Sequence, residues 1–90
     1  MLVRVSINKM NSGRMQVCCA RPNGNGYVLT YPAATARADV TNTLRALGIS
    51  EDAISKSYEM LADFGPDEML LVEQLEISED VLQRNGFIAV

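Results

Sequence analysis

Residues 3–19 read VRVSINKMNSGRMQVCC, and the alternation in this stretch decides the fold class. Val3, Val5 and Ile7 alternate with Arg4, Ser6 and Asn8. After Asn11, Ser12 and Gly13 the period returns, with Met15, Val17 and Cys19 set against Arg14, Gln16 and Cys18. A period of two sends successive side chains to opposite faces of a strand, and Asn, Ser and Gly supply turn conformations. The stretch therefore reads as a β-hairpin with one apolar face. Toward the C-terminus, Pro22, Asn23, Gly24, Asn25 and Gly26 make a second turn. Tyr27, Leu29 and Tyr31 continue a third strand until Pro32 stops it.

Beyond Pro32 the period lengthens. Ala36, Val40, Leu44 and Leu47 recur at helical spacing, and Gly48 stands where a left-handed C-terminal cap is wanted. A second helix starts at once. Ser50 can cap its free amides, Glu51 and Asp52 complement the positive end of its dipole, and Ile49 can staple onto Ile54. Its buried stripe is Ile54, Tyr58 and Leu61, and Gly65 with Pro66 marks its end.

Glu68 to Ile77 admits two readings. As a strand it puts Met69, Leu71, Leu75 and Ile77 on one face and Leu70 and Val72 on the other; as a helix it would start at Pro66 with Asp67 and Glu68 in the first turn. The strand is preferred. A short helix begins at Ser78, where Ile77, Ser78, Glu79, Asp80 and Leu82 repeat the pattern of Ile49 to Ile54, and Gly86 ends it. Phe87, Ile88 and Val90 form an apolar tail expected to dock. The expected product is one α+β domain over residues 1–90. Its small antiparallel sheet of three or four strands, in β-β-β-α-α-β-α order, has helices packed on one face.

Composition agrees with this. Ninety residues, 48% of them hydrophobic and 21% charged, suit a single soluble domain that buries about 60% of its unfolded surface. No apolar run approaches the ~20 residues of a membrane span. Arg4 interrupts the apolar start, so no secretory signal is expected and the expected compartment is the cytoplasm.

Histidine is absent, which removes Ser/His/Asp and Cys/His nucleophile pairs and every imidazole metal site. Cys18 and Cys19 are neighbours on a strand. They should point to opposite faces, one into the core and one toward the surface, and two thiolates alone do not close a zinc site. The Asn23–Gly26 turn has no Lys or Ser/Thr at a phosphate-loop offset and opens no helix, so it reads as a hairpin turn. No spacing matches a calcium loop. No catalytic residue, metal ligand or cofactor is assigned, and the chain reads as non-enzymatic.

Leu44 to Ser50, followed by Ala53, Ile54, Ser55 and Lys56, resembles the DNA-binding helix-turn-helix pattern over about 20 residues. The resemblance implies a second helix entering the major groove N-terminus first. Here that end carries Glu51 and Asp52, the wrong sign for phosphates, and Ser57 stands where that pattern has an apolar residue. The segment reads as a plain αα-hairpin.

Charge is sorted along the chain. Met1 to Ala38 holds five bases (Arg4, Lys9, Arg14, Arg21, Arg37) and no acid, while Asp39 to Val90 holds eleven acids and three bases, for a net charge of −3. Such a two-signed field bears on partners more than on fold. Acids at helix starts have local duties. Glu59, Asp63, Glu73 and Glu76 have none, and they are the candidate acidic surface for a protein partner with a basic surface. The alternative is nucleic-acid binding through a basic β face of Arg4, Lys9, Arg14 and Arg21, with Tyr27 and Tyr31 as stacking platforms. Self-association through a sheet edge or the apolar tail is a linked expectation.

Overall fold

The computed structural model describes residues 1–90. Its elements follow in the order β1 (Leu2–Lys9), β2 (Met15–Ala20), β3 (Gly26–Tyr31), α1 (Ala36–Ala46), α2 (Glu51–Leu61), β4 (Leu70–Glu76), α3 (Glu79–Arg84) and β5 (Ile88–Ala89). The five strands form one antiparallel sheet ordered β4-β1-β2-β3-β5. The α+β class is as expected, but the sheet has five strands rather than three or four. The fifth comes from the tail: Phe87 is buried, Ile88 and Ala89 pair with Val28 and Tyr27, and the Val90 N–H donates to Gly26 O at 3.0 Å.

Register explains the core. Val5 lies opposite Cys19 and Cys19 opposite Tyr27, while Ile7 lies opposite Val17 and Val17 opposite Leu29, so the odd-numbered residues of β1 to β3 share one face. Val3, Val5, Ile7, Val17 and Cys19 on that face are fully buried. They cluster with Val40 and Leu44 of α1, Ile54 and Leu61 of α2, and Leu82 of α3, so all three helices cover this face. Gly26 is needed at the β2–β3 turn, since a Cβ there would stand 2.6 Å from Cys19 O.

The strand reading of Glu68 to Ile77 is correct, but its assignment of faces is not. The register of β4 against β1 shifts between Val5, opposite Glu73, and Ser6, opposite Leu71, leaving Val72 as the extra residue of a β-bulge. The phase changes there. Leu70 is buried, Val72 and Leu75 pack against the core, and Leu71 turns to solvent at 46% exposure.

Both capping serines behave as their sequence context requires. Ser50 Oγ accepts from Ala53 N and Ser78 Oγ from Val81 N, each at 3.2 Å. Gly48 takes a φ of +90°, the conformation that lets the chain leave α1 and enter α2 within a few residues. The second helix stops at Leu61 rather than running on to Gly65. Its chain tightens into i to i+3 bonds, from Asp63 N to Met60 O and from Phe64 N to Leu61 O.

Candidate functional site

The side of α2 away from the core carries Asp52, Lys56 and Glu59, and Asp63 follows in the turn just past Leu61; the four are spaced three or four residues apart and all are exposed. The three carboxylates have no ion-pair partner. Next to this stripe lies a groove of about 530 Å³ between α1 and α2, bordered by Arg37, Thr41 and Arg45 on one side and Ser55, Tyr58 and Glu59 on the other.

The groove is built by helix spacing. Arg37, Thr41 and Arg45 recur every four residues and so share a face of α1. Tyr58 Oη donates to Arg37 O at 3.0 Å, and Thr41 Oγ1 lies 2.7 Å from that carbonyl and 3.0 Å from Tyr58 Oη. The Arg37 guanidinium sits 4.3 Å from the centre of the Tyr58 ring, a cation–π contact, and pairs with no carboxylate. Arg37 also borders two adjoining clefts of about 550 and 270 Å³.

At the groove's end Arg45 grips Glu51, with Nη2 at 2.7 Å and Nε at 2.9 Å from its carboxylate oxygens. These hydrogen bonds hold the Glu51 carboxyl below its ordinary range and raise the Arg45 guanidinium above its own. They also occupy the N-terminal carboxylate of α2, the end that a helix-turn-helix would present to DNA.

The four acids expected to form one surface are divided. Glu59 lies on α2 and Asp63 in the turn that follows it, one helical turn further on. Glu73, opposite Val5, is half-buried on the helix-covered side of β4, the strand that α2 packs against. Glu76 lies opposite Leu2 on the other face, 3.2 Å from the Met1 ammonium.

The four bases expected to share a β face are scattered as well. Arg4 points to the uncovered face of the sheet, and Arg14 is exposed at the first hairpin turn. Lys9 faces the helices, where it borders a cleft with Met15, Arg37, Tyr58 and Leu61. Arg21 Nη2 donates to Tyr27 Oη at 2.9 Å, and Tyr27 Oη donates to Glu79 at 2.7 Å. That bond to Glu79 is the main cause of the raised phenol pKa of Tyr27. Tyr27 is buried and Tyr31 packs on the core with its hydroxyl against Thr43, so neither offers a ring for base stacking.

The thiols separate as adjacent strand residues should. Cys18 is half-buried, and Cys19 lies in the core, where burial and the neighbouring Cys18 push its pKa up to about 12. No three of the Cys, Asp and Glu side chains converge as a metal cluster, and no helix is long and apolar enough to cross a membrane. Sequence reasoning missed Arg37 and Tyr58 as a pair. The available signal was the four-residue spacing of Arg37, Thr41 and Arg45, a polar stripe on the flank of α1 next to α2. Comparison with protein-family models, with curated proteins and with solved structures finds no match to this chain.

Proposed function

We propose that the domain is a small non-enzymatic interaction module, an inhibitor or adaptor by class, that binds a protein with a basic surface through the acidic side of α2. Glu59 and Asp63 are the centre of the docking surface, with Asp52 along the same stripe and Glu73 on the adjoining strand. Glu76 lies outside it. The observation that carries the reading is the stripe itself. Glu51, Glu76, Glu79 and Asp80 have internal partners, whereas Asp52 and Glu59 on α2 and Asp63 just past its end stand exposed with only Lys56 among them. Unpaired like charges on one face raise a local field that speeds encounter with an opposite charge and rejects like-charged competitors. Arg37 on Tyr58 adds a cation at the groove's rim, fit to meet an acidic group within an otherwise basic partner surface. Nucleic-acid binding draws less support, because Lys9 faces the helices and Arg21 is held by Tyr27, which leaves Arg4 and Arg14 for such a face.

The test is charge reversal at exposed positions that no fold contact needs. Glu59→Lys with Asp63→Lys should abolish capture of the partners that the wild-type protein retains, and wild-type capture should weaken as salt rises. If the double variant retains every partner, the acidic docking surface is wrong.

A further inference from the structure

We propose that the uncovered face of the sheet is the interface of a symmetric homodimer. The registers align Leu71, Ser6, Cys18, Val28 and Ile88 in one row across all five strands, on the side opposite the helices. Leu2 and Ala20 lie on the same face, and the flanking rows hold Arg4, Gln74 and Glu76 on one side and Asn8, Gln16 and Thr30 on the other, so the apolar stripe is central with a polar rim. An antiparallel sheet that faces water ordinarily carries polar side chains there, yet four of the five residues in this row are apolar or a thiol. Leu71 and Ile88 are 46% and 68% exposed at the two rims.

Three observations select a second copy as the occupant. The first is area: four strands ~4.8 Å apart and about six residues long, with two-residue β5 at one rim, give a face of about 20 by 20 Å, on the order of 800 Å² when two faces meet, the scale of a weak interface. The second is charge. The net charge of −3 and the unpaired α2 carboxylates would oppose most contacts between copies. This face, by contrast, carries one cation at Arg4 and one anion at Glu76, and packing through it leaves both acidic helices on the outside of the assembly. The third is that the sheet edges are short or irregular: β4 is kinked by its bulge and turns Glu73 inward, and two-residue β5 covers the start of β3, leaving only Leu29–Tyr31 unpaired there. A twofold axis lying in the interface, above Cys18 and parallel to the central strand β2, brings the row onto its own copy, with Leu71 facing Ile88 and Ser6 facing Val28.

The test is sedimentation equilibrium of the full chain from low micromolar to high concentration, for the wild type, Ile88→Glu and Leu71→Lys. Circular dichroism confirms that the variants remain folded, as their exposed positions should allow. A small interface of this size predicts a wild-type dissociation constant in the micromolar range, and each variant should weaken it at least about tenfold. Alkylation of Cys18 should slow as wild-type concentration rises through that range. A wild type that stays monomeric throughout overturns the proposal. So does a dimer that both variants leave intact, or one whose Cys18 reacts at a constant rate. Glu59→Lys with Asp63→Lys leaves this dimer unchanged, so its outcome is separate from that of the acidic surface.

Discussion

On the inner face of the sheet Val3, Val5, Ile7, Val17 and Cys19 have no solvent exposure, while one residue along the same strands Leu2 and Arg4 lie in solvent and Cys18 and Val28 are half-covered. Strand composition alone does not set this contrast, because each face holds a cysteine and aliphatic residues. The difference is what lies above each face. Three helices press Leu44, Ile54, Leu61 and Leu82 onto one side, and no helix lies over the other, where Asn8 is the one buried side chain. Burial, and with it stability, is therefore concentrated on one side of a single sheet. The second side is left available for contact.

The largest expected effect breaks that contrast most openly. Leu44→Ala empties part of the covered face and should lower the unfolding free energy by about 2–5 kcal/mol in urea titration, a large part of the ~5–15 kcal/mol typical of a domain. Val28→Ala, on the open face, should change it by no more than about 0.5 kcal/mol in dilute protein. Equal losses would mean that the two faces are equally built into the fold.

The cysteines sharpen the same contrast by chemistry. With its pKa raised by burial to about 12, Cys19 keeps its proton in the folded state where an unfolded thiol, near 9, has lost it. Stability is therefore undiminished below pH 9 and falls as pH rises toward 12, by up to about 1.4 kcal/mol per pH unit from this group. Cys19→Val should flatten that alkaline slope in pH-dependent melts. In the native protein at pH 8, a maleimide should label Cys18 and spare Cys19.

Most of the fold was legible because its signals are local. Alternation gave β1, β2 and β3, helical spacing gave α1 and α2, and Ser50 and Ser78 marked two helix starts that the structure caps as expected. The misses came from non-local causes. The bulge at Val72 depends on how β4 meets β1, so Leu71 and Leu75, which strict alternation puts on one face, lie on opposite faces. A two-residue strand such as Ile88–Ala89 has too few residues to show a period and exists through its bonds to β3. The site was less legible still. Residues grouped by charge along the sequence, such as Arg4 with Lys9 or Glu73 with Glu76, are sent to opposite sides by strand parity. Arg37 and Tyr58, 21 residues apart, meet only when α1 and α2 pair.

On the covered face, the smallest effect lies at the helix starts. Ser50→Ala and Ser78→Ala should each cost about 1 kcal/mol in chemical denaturation, by removing the hydroxyl that accepts from Ala53 N and Val81 N, the latter keeping its bond to Ser78 O. A null result at either would place the helix's hold in packing alone.

The central claim is that the helical side, through the α2 carboxylates, is where another protein docks. It is tested most directly by affinity capture from one cell extract with three baits: the wild type, Glu59→Lys with Asp63→Lys, and Ile88→Glu. Partners held by the wild type in a salt-sensitive way should be lost by the charge-reversed bait and kept by Ile88→Glu. Partners that survive the reversal and disappear with Ile88→Glu would put docking on the open face of the sheet and contradict it.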